Sequence, residues 1–174
     1  MRPEFRFGLA AGLAAWLWLA LEEVLGFHTT RLQAGDYGTW VLPLIQLAML
    51  GLLLRDAHRR EPLGRLEPWH AAVGSLLTSV VFAVLLYAGL VATLQFVNPG
   101  WLDRMLVWKV GLMRAHGIHE DIIRTFIVAT REAYSPLGLA RTCFLLCPLA
   151  GMAAGLVFCI ALNLTWERAH LARP

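Results

Sequence analysis

Hydrophobic and polar positions along this chain fall into long blocks rather than a fine alternation. Four stretches, Gly8 to Leu21, Gly38 to Leu54, Ala71 to Val97 and Thr142 to Trp166, hold no Asp, Glu, Lys or Arg between their ends. A hydrocarbon core roughly 30 Å thick takes about 20 helical residues to cross. The third and fourth stretches are long enough alone, and the first two once their flanks are added. The pattern therefore predicts an all-α polytopic membrane protein in one domain, residues 1–174, with four spans at about 5–26, 38–54, 71–97 and 137–164.

Between the third and fourth spans the period changes. Ile118, Ile122, Ile123, Phe126 and Ile127 recur at spacings of three and four, with Glu120, Asp121, Arg124 and Arg131 on the other faces. That is an amphipathic helix. Leu102, Met105, Leu106 and Met113 outline a second helix, with Gly117 between the two and Pro136 ending the segment. The expectation for 98–135 is an extramembrane helical hairpin on the outer leaflet or over the bundle mouth. We read it as a cap in preference to a functional lid.

Composition strengthens the membrane assignment. Hydrophobic residues make up 58% of the chain and charged ones 16%, and the mean hydropathy is +0.60; ordinary globular domains run to roughly 45–50% and 25%. The net charge of +3 follows topology rather than nucleic-acid binding, since the arginines lie in loops and not along one helical face. Arg55, Arg59, Arg60 and Arg65 crowd the segment between the second and third spans, where Pro62 and Gly64 are expected to break any helix. Arg2 and Arg6 precede the first span, Arg168 and Arg173 follow the fourth, and the first loop holds Arg31 alone. Short arginine-dense loops stay in the cytoplasm, which places both termini on the cytoplasmic side of a bacterial inner membrane. Segment 98–135 has five basic residues of its own, and its length weakens their influence. A cleavable signal peptide is not expected, because Trp16, Trp18 and Leu19 occupy the place of the small residues a cleavage site needs.

The fourth span has a ridge of small side chains: Cys143, Cys147, Gly151, Gly155, Cys159 and Asn163 stand at every fourth position. In lipid, such ridges let helix backbones approach closely. Packing within the chain is the favoured role for Cys147, Gly151, Gly155 and Cys159; contact with a protein partner or a second copy is the alternative. The three cysteines all lie in this apolar span, so a disulfide framework is not expected.

Candidate chemistry is sparse. Glu22 and Glu23 sit near the end of the first span, where a carboxylate is expensive. Glu22 shares a face with Trp18, Ala15, Ala11 and Gly8 and is expected to point into the bundle, with His28 or Arg31 as partner. Glu22, Glu23 and His28 are thus the candidate proton or ion site, weighed against a carboxylate paired for structural reasons. The run His116, His119, Glu120, Asp121 suits helix capping better than metal binding, because no third ligand is fixed by its spacing. No catalytic, cofactor or metal site is expected, and the partners expected are membrane lipid and a protein partner or second copy, not nucleic acid.

The run Arg55 to Ala71, the helix-ending Asn98-Pro99, the segment Gly117-Ile118-His119-Glu120-Asp121 leading to Ser135-Pro136, and the glycine-bearing last helix resemble the bacterial membrane-protein family called domain of unknown function 4199. The resemblance implies a small four-helix inner-membrane protein and brings no activity, ligand or catalytic residue with it. The expected function is non-enzymatic: an accessory or interaction subunit of a membrane assembly. The alternative is a small proton- or cation-coupled transporter or channel using Glu22.

Overall fold

The structure, a computed structural model, describes residues 1–38, 40–61 and 65–171, with the side chains of Asp36 and of residues 167–171 outside the description. Pro62 and Gly64, expected to break a helix, and the Arg168 and Arg173 side chains, counted towards topology, lie outside the described residues. Everything regular among the described residues is helical: α1 (Pro3–Val24), α2 (Leu32–Gly38), α3 (Val41–Arg60), α4 (Pro68–Ala92), α5 (Trp101–Ala115), α6 (Glu120–Ala133), α7 (Pro136–Arg141) and α8 (Cys147–Leu171). A π-helical turn, Thr93–Val97, prolongs α4, and another, Thr142–Leu146, joins α7 to α8. Four continuous helical stretches, Pro3–Val24, Val41–Arg60, Pro68–Val97 and Pro136–Trp166, are long and apolar enough to cross a membrane.

Helix boundaries depart from expectation in ways the local chemistry explains. α1, α4 and α7 each open on a proline in the first turn, where the missing N–H has no intrahelical partner to lose and the fixed φ suits the helix. These helices therefore start earlier than the hydrophobic blocks do. Pro136 opens α7 instead of merely ending the preceding segment, and Ser135 caps it by accepting from the Gly138 N–H at 3.1 Å. At the other end, α3 runs on from Leu54 to Arg60. Arg60 pairs with Asp56 one turn back at 2.7 Å, and a last turn of His58, Arg59 and Arg60 complements the negative end of the helix dipole. The short helix α2 within the first loop was not expected.

α4 packs on α1 along one side and on α8 along the other, while α3 closes the bundle against α1 and α8. The core includes Ala11, Ala15 and Leu19 of α1, Leu42 and Leu50 of α3, Phe82, Ala83 and Leu86 of α4, and Cys143. The outward faces are no less apolar: Leu17 is 72% exposed and Val157 66%. Helices that are hydrophobic all round need an apolar surrounding on the outside as well.

The small-residue ridge is spent inside this bundle. A Cβ at Gly151 would overlap the Ser79 hydroxyl, and one at Gly155 the Ser75 hydroxyl, so both glycines let α8 lie directly on α4. Further along the same ridge, the Cys159 thiol donates to the Leu66 carbonyl at 3.3 Å, and Asn163 takes both the N–H and the carbonyl of Leu66, at 3.0 and 2.9 Å. Within the chain this face lies against α4 and the segment before it.

The segment between the third and fourth spans forms a helical hairpin, α5 and α6, at the end of the bundle where α1 finishes. Gly117, at φ +71°, makes the turn between them, a left-handed conformation that glycine adopts without steric penalty. The helices touch each other and, through Arg131 and Asp103 at 2.9 Å, are tied by an exposed ion pair.

Candidate functional site

The last turns of α1 hold the two carboxylates, and the chain then folds back over them. Gly26, at φ +71°, reverses direction, and its carbonyl accepts from the N–H groups of Thr29, Thr30 and Arg31 at 3.2, 2.9 and 2.8 Å. This tight turn lays His28 against the end of α1. Glu22 is only 3% exposed and His28 8%, so the imidazole and this carboxylate are both withdrawn from solvent.

Each carboxylate has a distinct set of partners. Glu22 Oε1 accepts from the Trp18 indole at 2.8 Å, and Oε2 lies 3.4 Å from His28 Nε2. Glu23 Oε1 lies 2.7 Å from His28 Nδ1. The Asn98 amide, at the end of the third span, donates to both Glu23 oxygens at 3.3 and 3.0 Å, and Arg104 of α5 donates to the Asn98 carbonyl oxygen. Trp101 of α5 sets its ring edge-on to His28 at 5.2 Å, and Tyr134 sits in the same way on Trp101 at 5.1 Å. Gly38 closes the Glu22 side, where a Cβ would overlap Oε1. Four segments thus converge here: the end of α1, the first loop, the end of the third span and the start of α5.

Burial by itself pushes the His28 pKa down, but hydrogen bonding to Glu22 and Glu23 and the attraction of both charges outweigh it, and the net direction is up from 6.5. Arg31, the other expected partner of Glu22, is exposed. Beside the site a cavity of about 30 Å³, lined by Phe27, Leu32, Trp101, Met105, Lys109 and Tyr134, has room for roughly one water.

A second polar layer occurs deeper in the bundle. Gln46 of α3 donates to the Ser79 hydroxyl and to the Cys147 carbonyl, both at 3.0 Å, and Thr78 donates to the Glu4 carbonyl at 3.2 Å. The apolar cluster of Ala15, Leu19, Leu42, Phe82, Leu86 and Cys143 separates the two layers. Along every helix these residues fall between the members of one layer and those of the other.

The His116–Asp121 run behaves as a cap. His119 is the N-cap of α6 and accepts from the Asp121 N–H at 3.5 Å; His116 Nδ1 meets the Leu112 carbonyl at 2.7 Å. Arg114 hydrogen-bonds Glu120 at 2.7 Å and holds that carboxyl below the usual range. Among the described residues no group of three or more His, Cys, Asp or Glu side chains is placed to hold a metal ion.

The structure sets His28 against both Glu22 and Glu23, where the sequence offers His28 or Arg31 as partner of Glu22 alone and gives no sign of Asn98, Arg104, Trp101 or Gly38 as neighbours. Asn98 was visible only as a helix-ending residue before Pro99; its partner Glu23 stands 75 positions away, beyond any local spacing. Gln46 went unnoticed because a lone amide in an apolar block carries no periodicity. The chain matches no known family model, no curated protein and no solved structure.

Proposed function

We propose that this chain is a non-enzymatic accessory subunit of a membrane assembly, set in a bacterial inner membrane with both termini cytoplasmic and the α5–α6 cap outside. The observation that carries this proposal is a shallow apolar depression on α6, bordered by Ile122, 59% exposed, Thr125, Phe126 and Ala129 beside Asp121. A helix that presents so much apolar surface on a cap is suited to contact with another protein. Exposed Tyr37, Trp40 and Phe96 at the cap end and Trp69 at the other fit the aromatic belts found at both membrane interfaces.

The test is native mass spectrometry of the tagged protein extracted gently from its host membrane, paired with a photo-crosslinking residue at Ile122. A stoichiometric second protein that crosslinks through Ile122 is the expected result. A lone subunit with no crosslinked protein sinks the proposal. The second candidate, a proton- or cation-coupled transporter using Glu22, draws on the burial of that carboxylate beside His28. Against it stands the apolar block between the two polar layers. Solute flux in proteoliposomes that exceeds empty vesicles and falls in Glu22→Gln would favour transport instead.

A further inference from the structure

His28 is held between two carboxyl groups. Each ring nitrogen faces a carboxylate oxygen, Nδ1 that of Glu23 at 2.7 Å and Nε2 that of Glu22 at 3.4 Å. A neutral imidazole has one N–H and one lone pair, so it would turn a lone pair on one carboxylate. With both carboxyl groups ionised, only the imidazolium donates to both. The charges facing the ring support this count: Glu22 and Glu23 from α1, and Arg104 from α5 acting through Asn98. Trp101 brings an uncharged ring edge, Tyr134 and Lys109 lie beyond it around the small cavity, and Arg31 is exposed. The Asp36 side chain lies outside the described residues. With a protonated His28, two negative and two positive charges balance. Without that proton, two withdrawn carboxylates keep one cation between them, and that cation reaches them through an amide.

We propose that Glu22, His28 and Glu23 form a proton-binding clamp: the imidazolium ties the first loop to the end of α1 and, through Asn98 and Trp101, to the start of α5, and loss of its proton releases these segments. His28 lies on a glycine-led turn anchored at its start, where the N–H groups of Gly26 and Phe27 donate to the Glu23 and Glu22 carbonyls at 3.1 and 2.9 Å, while Thr29, Thr30 and Arg31 donate only to the Gly26 carbonyl within the turn. Residues 28–31 can shift about that anchor without breaking a long helix. The upward direction of the His28 pKa agrees. The sign follows from linkage: a group whose pKa is raised on folding contributes in full below its ordinary value of 6.5 and loses the contribution as pH rises through the folded value. The clamp is therefore closed in mild acid and opens on the alkaline side. It stands independently of the partner proposed for α6, because it concerns only contacts within the chain.

The experiment uses the full chain in nanodiscs of neutral phosphatidylcholine. Nitrogen NMR of histidine-labelled protein assigns the His28 signals by their loss in His28→Gln, and hydrogen exchange of segments 25–38 and 98–104 is followed from pH 5.5 to 9, corrected for intrinsic rates. The expected result is doubly protonated His28 at pH 6 and deprotonation above 6.5. At the same step, protection in both segments falls about tenfold, the order expected for one charge-assisted hydrogen bond. Protection in α8 stays constant, and His28→Gln shows no step. A neutral His28 at pH 6, or protection that stays flat through its titration, overturns the proposal. Should His28→Gln not fold, Glu23→Gln serves: it must move both the His28 titration and the protection step to lower pH, and failure of either to move overturns the clamp.

Discussion

Three glycines show how one substitution, Gly to Ala, takes its sign from what surrounds the residue. At Gly38 the new methyl would overlap Glu22 Oε1 and push a buried carboxylate off its Trp18 and His28 partners; overpacking of this kind costs about 1–3 kcal/mol. At Gly117 nothing lies within 4 Å, but φ is +71°, so alanine meets backbone strain of about 1 kcal/mol. At Gly111, inside α5, there is neither a neighbour within 4 Å nor a positive φ, and alanine should stabilise by about 0.5–1 kcal/mol through helix propensity. Thermal unfolding of the three variants in one detergent checks the order Gly111→Ala above wild type, then Gly117→Ala and Gly38→Ala below it. A Gly38→Ala protein as stable as wild type would mean that Glu22 has room to move, and the close fit of the site would be lost. Only the Gly117 outcome was foreseeable from sequence, since a glycine between two amphipathic periods marks a turn. The Gly38 outcome depends on a carboxylate sixteen positions earlier, which no local pattern reveals.

At the scale of elements, the decisive contact is α8 on α4. In lipid, burying apolar surface between helices gives little drive, so close packing at small residues carries much of the association. Gly151 and Gly155 meet Ser79 and Ser75 at that contact, whereas Ala153, on the same helix, is exposed. Gly151→Leu should therefore destabilise the bundle by about 3 kcal/mol or more, seen as loss of resistance to denaturing detergent, while Ala153→Leu should change it little. Had the ridge faced a second copy, Gly151→Leu would instead split an oligomer and leave the monomer intact, so size and stability together separate the cases. The ridge itself was legible because its residues recur every fourth position. Which surface it met was not, because spacing within one helix names no partner. The π-helical turns at Thr93–Val97 and Thr142–Leu146 were equally hidden: they add a residue to a turn without any change in hydrophobicity, and so leave the block pattern untouched.

For the whole molecule, orientation is the property on which the proposed function depends, and arginine placement sets it. Eight arginines flank one end of the four long helices, in the segment 55–65 and near both termini. The other end has seven basic residues, one in the first loop, five in 98–135 and Arg141 at the end of α7, and Arg114, Arg131 and Arg141 are held in ion pairs with Glu120, Asp103 and Glu132. The positive-inside tendency acts on charges close to the spans in short loops, which favours the dense 55–65 segment over the longer hairpin. Single cysteines placed at the exposed positions Thr29 and Arg65 report this directly. In a background where Cys143, Cys147 and Cys159 are replaced by alanine, a membrane-impermeant maleimide should label Thr29→Cys in intact spheroplasts and Arg65→Cys only after lysis. The reverse pattern would put the cap and the His28 clamp in the cytoplasm, and any partner of α6 would then be sought among cytoplasmic proteins. Equal labelling of both in intact spheroplasts would indicate mixed orientation and overturn the single topology argued from the arginines.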